Sequence, residues 1–191
     1  MHYSTCINWK YGGLEMKRGK IILLNGVSSS GKSSLAKAIV KRLPDHFHYN
    51  IDDFDIVIER MEDREKQRLI PVSTEYYFHR TIRMFSESGI NLVVDQILHN
   101  NDTLRDCLST LKGYPVYFVG VHCPQKELEK RELERGDRTL GLSKKQLKYV
   151  HQQNEAYDIE VNTGLESLDT CADKIVKKYL NEGDLKGWHT S

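Results

Sequence analysis

Apolar runs alternate along this chain with stretches of helical spacing. Residues 20–25 are almost continuously apolar (Ile21-Ile22-Leu23-Leu24), the pattern of a strand covered on both faces. Leu35, Ile39 and Leu43 then recur at near-helical spacing, which predicts a helix over 33–43 ended by Pro44. Residues 47–51 read as a second strand and 54–61 as a helix. A longer helix is predicted over 74–88, with Tyr77, Ile82 and Phe85 facing inward and Gly89 as its C-cap. Residues 90–95 form a third buried strand, 102–112 a helix before Gly113, and 115–122 a fourth strand. Pro124 sits where a helix begins, and that helix runs through Leu128 and Arg131 to Arg135. The remainder reads as a helix over 143–157 capped by Ser143, a short strand over 159–161 and a last helix over 167–180.

Strand–helix alternation of this kind implies an α/β fold: a three-layer sandwich around a five-stranded parallel sheet. Residues 20–181 are expected to form one domain, with 1–19 a flexible extension and 182–191 a mobile tail. The extension is too polar and too interrupted to read as a secretion signal, and Met16 is an alternative start. A net charge of +1 gives no reason to expect nucleic acid or an anionic membrane as partner, and no apolar run approaches membrane-spanning length. The four cysteines lack paired spacing and read as reduced thiols of a cytoplasmic protein. Among eight histidines, His46 and His48 flank Phe47 and should share one face of a strand. A solvated pair is expected there, with a metal site as the alternative. A homo-oligomer is left open.

The chemistry concentrates just after the first strand. Gly26-Val27-Ser28-Ser29-Ser30-Gly31-Lys32-Ser33-Ser34 contains G-x-x-x-x-G-K-[ST] between an apolar run and helix-forming residues, the context a phosphate-binding P-loop requires. Gly26 and Gly31 allow the tight turn and close approach. The N–H groups from Ser28, Ser29 and Ser30 through Ser34 then form an anion nest at a helix N-terminus. Lys32 would reach the outer phosphates and the Ser33 hydroxyl would ligate Mg²⁺. A Gly/Ser-rich turn that binds nothing is the alternative.

Three carboxylates follow the second strand: Asp52, Asp53 and Asp55. Asp52 is expected at the carboxyl end of that strand, where ligands bind in open α/β sheets, and could accept a proton from an attacking hydroxyl. Capping the following helix is the other reading, favoured for Asp53 and Asp55. Asp95 ends the third strand in a Walker B-like manner and is a candidate to hold Mg²⁺, directly or through water. Phe54, Met61, Tyr76, Tyr77, Phe78 and Met84 could read a small acceptor, although most should be core. Arg131, Arg135 and Arg138 fit a lid over 131–142 that neutralises charge on a transferring phosphoryl group; an exposed charged helix is the alternative. Asn162, in the turn after the last strand, is a candidate to lie against a nucleotide base.

The chain resembles the chloramphenicol phosphotransferase family, small P-loop kinases of the nucleotide-kinase-like type. The residues that carry the resemblance are Ile22-Leu23-Leu24-Asn25-Gly26 with Gly31-Lys32-Ser33, Ile51-Asp52, Val119-Gly120-Val121-His122-Cys123, and Arg131-Glu132 to Arg135-Gly136-Asp137-Arg138. It continues through Gln146, Tyr149-Val150-His151 and Tyr157-Asp158-Ile159-Glu160-Val161. The resemblance implies ATP and Mg²⁺ as cofactors and phosphorylation of a small-molecule hydroxyl, chloramphenicol or a related compound, as in antibiotic resistance. It implies Asp52 as general base, Lys32 and Ser33 as phosphate and Mg²⁺ ligands, and Arg131, Arg135 and Arg138 as lid arginines. The charged stretch Glu59 to Lys66 departs from the family's acceptor region, so a kinase for another hydroxylated metabolite or antibiotic is the first alternative. A regulatory NTPase is the second, although no N-K-x-D motif is present.

Overall fold

A computed structural model describes residues 17–136 and 140–182. The five strands are β1 (Ile21–Asn25), β2 (His46–Asn50), β3 (Asn91–Gln96), β4 (Val116–His122) and β5 (Ile159–Asn162). The helices are α1 (Lys32–Arg42), α2 (Ile51–Met61), α3 (Thr74–Glu87), α4 (Asn101–Thr110), α5 (Gln125–Arg135), α6 (Leu142–Gln146) and α7 (Leu168–Asn181). All strand pairs are parallel, in the order β2-β3-β1-β4-β5. β1 is therefore central, and its five residues are fully buried, as the continuous apolar run requires.

Alternation along β1 sorts the core into two layers. Ile22 and Leu24 pack with Leu35 and Ile39 of α1 and with Ala172, Ile175 and Tyr179 of α7. Ile21 and Leu23 pack on the other face with Phe78 and Ile82 of α3 and Leu104 of α4. The chain leaves β1 for β2 at one edge and later crosses from β3 over β1 to β4. Where connections depart to opposite sides, the carboxyl ends of the strands leave a crevice.

Three expectations change. The helix predicted over 143–157 is only α6, and Ser143 lies inside it, buried, while Gly141 is its N-cap. Left-handed backbone at His151 and Asn154 breaks the helix, because the segment turns to pack Val150 and Tyr157 beneath the P-loop region. α2 begins earlier than its spacing implied. The Asn50 side chain accepts from the Asp52 N–H at 2.9 Å and caps it, so Asp52 lies in the first helical turn rather than at the strand end. His46 is not solvated: it is buried against the Tyr179 hydroxyl (2.8 Å) and Asp45 (2.9 Å). Of the aromatic and Met residues offered as acceptor contacts, Phe78 is core, whereas Met61, Tyr76 and Met84 are exposed. Among the described residues, no helix is long and apolar enough to cross a membrane. Cys107, Cys123 and Cys171 are free and buried.

Candidate active site

β1 ends at Asn25, and the loop over 26–31 turns back against β4. A Cβ on Gly26 would stand 2.5 Å from the Val121 carbonyl oxygen, so that position admits only hydrogen. Ser29 (φ 62) and Gly31 (φ 87) both adopt left-handed backbone, which curls successive N–H groups inward. Lys32 is buried, and its Nζ donates to the Val27 carbonyl at 2.9 Å. Residues far away in sequence hold this shape. The Ser28 N–H donates to Gln146 Oε1 at 2.7 Å, and the Thr163 hydroxyl donates to the Ser30 carbonyl at 2.6 Å. Asn25 accepts from the Leu98 N–H (3.0 Å) and donates to the Tyr157 hydroxyl (2.8 Å).

A cleft of about 80 Å³ opens in front of the loop, lined by Lys32, Ser33, Asp52, Asp95 and Arg135 together with Ser28, Ser29, Gly31 and Ser34. The parallel ladder between β2 and β3 aligns its acidic side. Asn50, the cap that presents Asp52, lies opposite Asp95. Asp95 is nearly fully buried, and its Oδ2 accepts from His48 Nε2 at 2.8 Å. Ser33 and Asp95 offer oxygen ligands only, which suits a hard cation such as Mg²⁺. Gln96 also borders the cleft and is tied to a buried network: its Oε1 lies 3.1 Å from His79 Nε2, and His79 Nδ1 lies 2.6 Å from Asp106. Burial lowers the pKa of His79, although Asp106 works against that.

The predicted residues divide. Lys32, Ser33, Asp52, Asp95 and Arg135 converge on the cleft. Arg131 does not: its guanidinium donates to the Thr163 carbonyl (2.9 Å) and hydroxyl (3.2 Å) and to the Ser29 carbonyl (3.4 Å), behind the loop. Asn162 also stays outside the cleft lining, its side chain accepting from the Gly164 N–H at 3.1 Å. Arg138 lies outside the described residues. Glu132, expected only as a partner on an exposed charged helix, is instead almost fully buried and accepts from the Gly141 N–H (2.9 Å) and the Ser143 N–H (2.7 Å), closing the turn between α5 and α6. Gln146 and Thr163 were also missed, and His48, expected to be solvated beside His46, instead meets Asp95. Thr163 stands beside a residue that was named, and Gln146 within the family-like stretch, but only the fold shows what either one holds.

A second, open cleft of about 470 Å³ lies between α2 and residues 62–74, with Ile58, Leu69, Ile70 and Val72 as apolar lining and Asp55, Glu59, Glu62 and Arg64 as polar lining. It adjoins the first along α2, since Asp52 borders one cleft and Asp55, one turn on, the other. Burial raises the pKa of Asp55, and the nearby carboxylates of Glu75, Asp52 and Glu59 raise it further.

The family model described as chloramphenicol phosphotransferase-like protein matches residues 19–180. A Mycobacterium tuberculosis protein named as a proposed O-phosphotransferase is 31% identical over 193 aligned positions, covering 86% of this chain and 84% of that protein. Solved structures share the fold at lower identity. The APS kinase of Mycobacterium tuberculosis, in complex with AMPPNP and APS, superposes with a TM-score of 0.65 at 17% identity, over 85% of this chain and 98% of that one. The Deinococcus radiodurans tunicamycin resistance protein gives 0.66 at 19% identity (85% and 96%), and a Sinorhizobium meliloti gluconokinase 0.62 at 20% (87% and 94%).

Proposed function

The chain belongs to the chloramphenicol phosphotransferase-like family and is a phosphotransferase acting on an alcohol oxygen, and from that premise we propose that it transfers the γ-phosphoryl group of ATP to a small hydroxylated acceptor held beside α2. The observation that carries this reading is the convergence of Lys32, Ser33, Asp52, Asp95 and Arg135 on one cleft in front of the P-loop. The inward-facing amides of the loop cradle the phosphates, and Lys32 leaves the Val27 carbonyl to neutralise them. Ser33 and Asp95 would hold Mg²⁺, which would supply positive charge to offset that of the phosphates. The acceptor lies in the 470 Å³ cleft with its hydroxyl toward Asp52. Asp52 takes the hydroxyl proton as that oxygen bonds to phosphorus and ADP departs. Arg135 stabilises charge on the phosphoryl group in transit. Arg131 serves the nucleotide from behind the loop, by fixing Ser29 and Thr163, and Asn162 borders the same side.

Chloramphenicol is the first acceptor to test. A different hydroxylated metabolite or antibiotic is the second reading, favoured by the charged lining of the cleft, where Asp55, Glu59, Glu62 and Arg64 meet the apolar floor. Purified protein is incubated with ATP and Mg²⁺, with and without the drug, and the drug is weighed by mass spectrometry for an added phosphate. Transfer is expected to fall by roughly 100-fold or more in Asp52→Asn while ATP still binds, the loss typical of a missing general base. A variant that keeps most of the rate removes Asp52 from the reaction. ATP binding without phosphorylated drug moves the assignment to the second reading.

A further inference from the structure

On the β2–β3 ladder, Asp95, which the proposed reaction uses, is paired with His48, which that reaction leaves without a role. His48 lies opposite Val93 in the parallel register, and Asp95 is two residues further along β3, on the same face of the sheet. Such diagonal neighbours are within reach of long side chains. Here His48 Nε2 comes to 2.8 Å from Asp95 Oδ2. Since an ionised carboxylate only accepts hydrogen bonds, a bond to it here requires the His48 tautomer that carries a proton on Nε2. The His48 side chain is 18% exposed and that of Asp95 only 4%, so water competes little for the bond.

Asp95 borders the cleft beside Lys32 and Ser33. A carboxylate that must meet a cation there has one torsion left to choose after its χ1 is set. A donor fixed to one oxygen removes that choice and leaves the other oxygen for the ligand. Partners of this kind, one step removed from the metal, are a recurring means of orienting ligands.

We propose that His48 is a positioning residue: through its Nε2–H it locks the Asp95 carboxylate in the orientation that receives the divalent cation of the nucleotide complex. The inference rests on the function proposed above, since it needs a cation at Ser33 and Asp95. It adds a residue that neither motif nor family resemblance singled out.

The test uses the full chain with Mn²⁺ as the probe and AMPPNP, which is not cleaved to product. Free Mn²⁺ is read by electron paramagnetic resonance, and metal-free AMPPNP binding is read separately. His48→Ala is expected to weaken Mn²⁺ binding to the nucleotide-bound protein by roughly 10- to 100-fold. Metal-free AMPPNP binding should stay unchanged. His48→Gln, whose amide nitrogen can occupy the place of Nε2, should restore most of the loss. His48→Phe keeps the ring volume without the donor and should behave as His48→Ala, so the comparison of Gln with Phe decides the matter if the Ala variant does not fold. Non-donor variants that bind Mn²⁺ within about twofold of wild type overturn the inference and leave the kinase reading intact. A wild-type protein that binds AMPPNP but no Mn²⁺ overturns both.

Discussion

Replacing Glu132 with glutamine tests the clamp that shapes the turn after α5. The side chain is almost fully buried, and its two oxygens take separate backbone N–H groups, Gly141 at 2.9 Å and Ser143 at 2.7 Å. Glutamine has the same shape but one acceptor oxygen, so whichever way the amide turns, one N–H faces an NH₂ donor. An unsatisfied buried donor costs about 1–3 kcal/mol, and the lost charge adds to it. If the cost falls on the whole domain, Tm drops by roughly 2–10 °C for a chain of this size. If it falls on the turn alone, amide exchange at Gly141 and Ser143 accelerates by roughly 5- to 150-fold while Tm holds. Both are measured on one sample, by melting and by hydrogen exchange. The pH dependence has a definite sign. Burial alone would raise the Glu132 pKa, but the Ser143 and Gly141 N–H groups outweigh it and hold the pKa below the ordinary 4.5. A depressed folded pKa means that the stabilisation is present above 4.5 and is lost as pH falls through the folded value. Wild type should therefore lose protection at Gly141 and Ser143 in acid below that point, and Glu132→Gln should show no such step. Unchanged exchange at both amides in the variant would refute the clamp.

Two further predictions follow from the packing behind the P-loop. A Cβ on Gly120 would stand 2.8 Å from Tyr157 Cδ2, so Gly120→Ala must displace the ring whose hydroxyl meets Asn25 and His151; we expect a loss of about 1–3 kcal/mol in urea unfolding together with weaker ATP binding, and wild-type values for both would show that the ring is not a support. His151 is held neutral, with burial and the nearby His122 pushing its pKa from 6.5 to about 4. A base with a depressed folded pKa stabilises above its unfolded value, so stability should fall between about pH 6.5 and 4, and His151→Gln should flatten that part of the profile in denaturant midpoints measured against pH; an unchanged slope would refute the assignment.

The strands and the phosphate loop were legible because each rests on local chemistry. Ile21 to Leu24 can be covered only inside a sheet, and Gly26 with Gly31-Lys32-Ser33 has few other uses after such a strand. Asp52, Asp95 and Arg135 were singled out by their places at element ends, and all three border one cleft. What escaped was set by contacts between distant segments. Nothing near Gln146 announces that it receives the Ser28 N–H, and nothing near Glu132 announces a turn ten residues ahead. His48 was read only beside His46, along its own strand, whereas its partner lies across the ladder. The partners of Arg131 were hidden for a related reason. Its spacing from Arg135 is helical, but α5 points the two toward different sides of the loop. The helix predicted over 143–157 failed because apolar spacing cannot show that His151 and Asn154 adopt left-handed backbone.

The ties that hold the phosphate loop also set when it can exist. Ser28 is bound by a side chain 118 positions later, Asn25 by one 132 later, and Ser30 by one 133 later. During synthesis, β1 and the loop emerge first, but these three ties leave the ribosome only with the final third of the chain. A nascent chain stopped after α4 would carry the whole motif without these three ties. Nucleotide is therefore expected to bind and stabilise a domain already closed by its own C-terminal segment rather than to aid the early steps of folding.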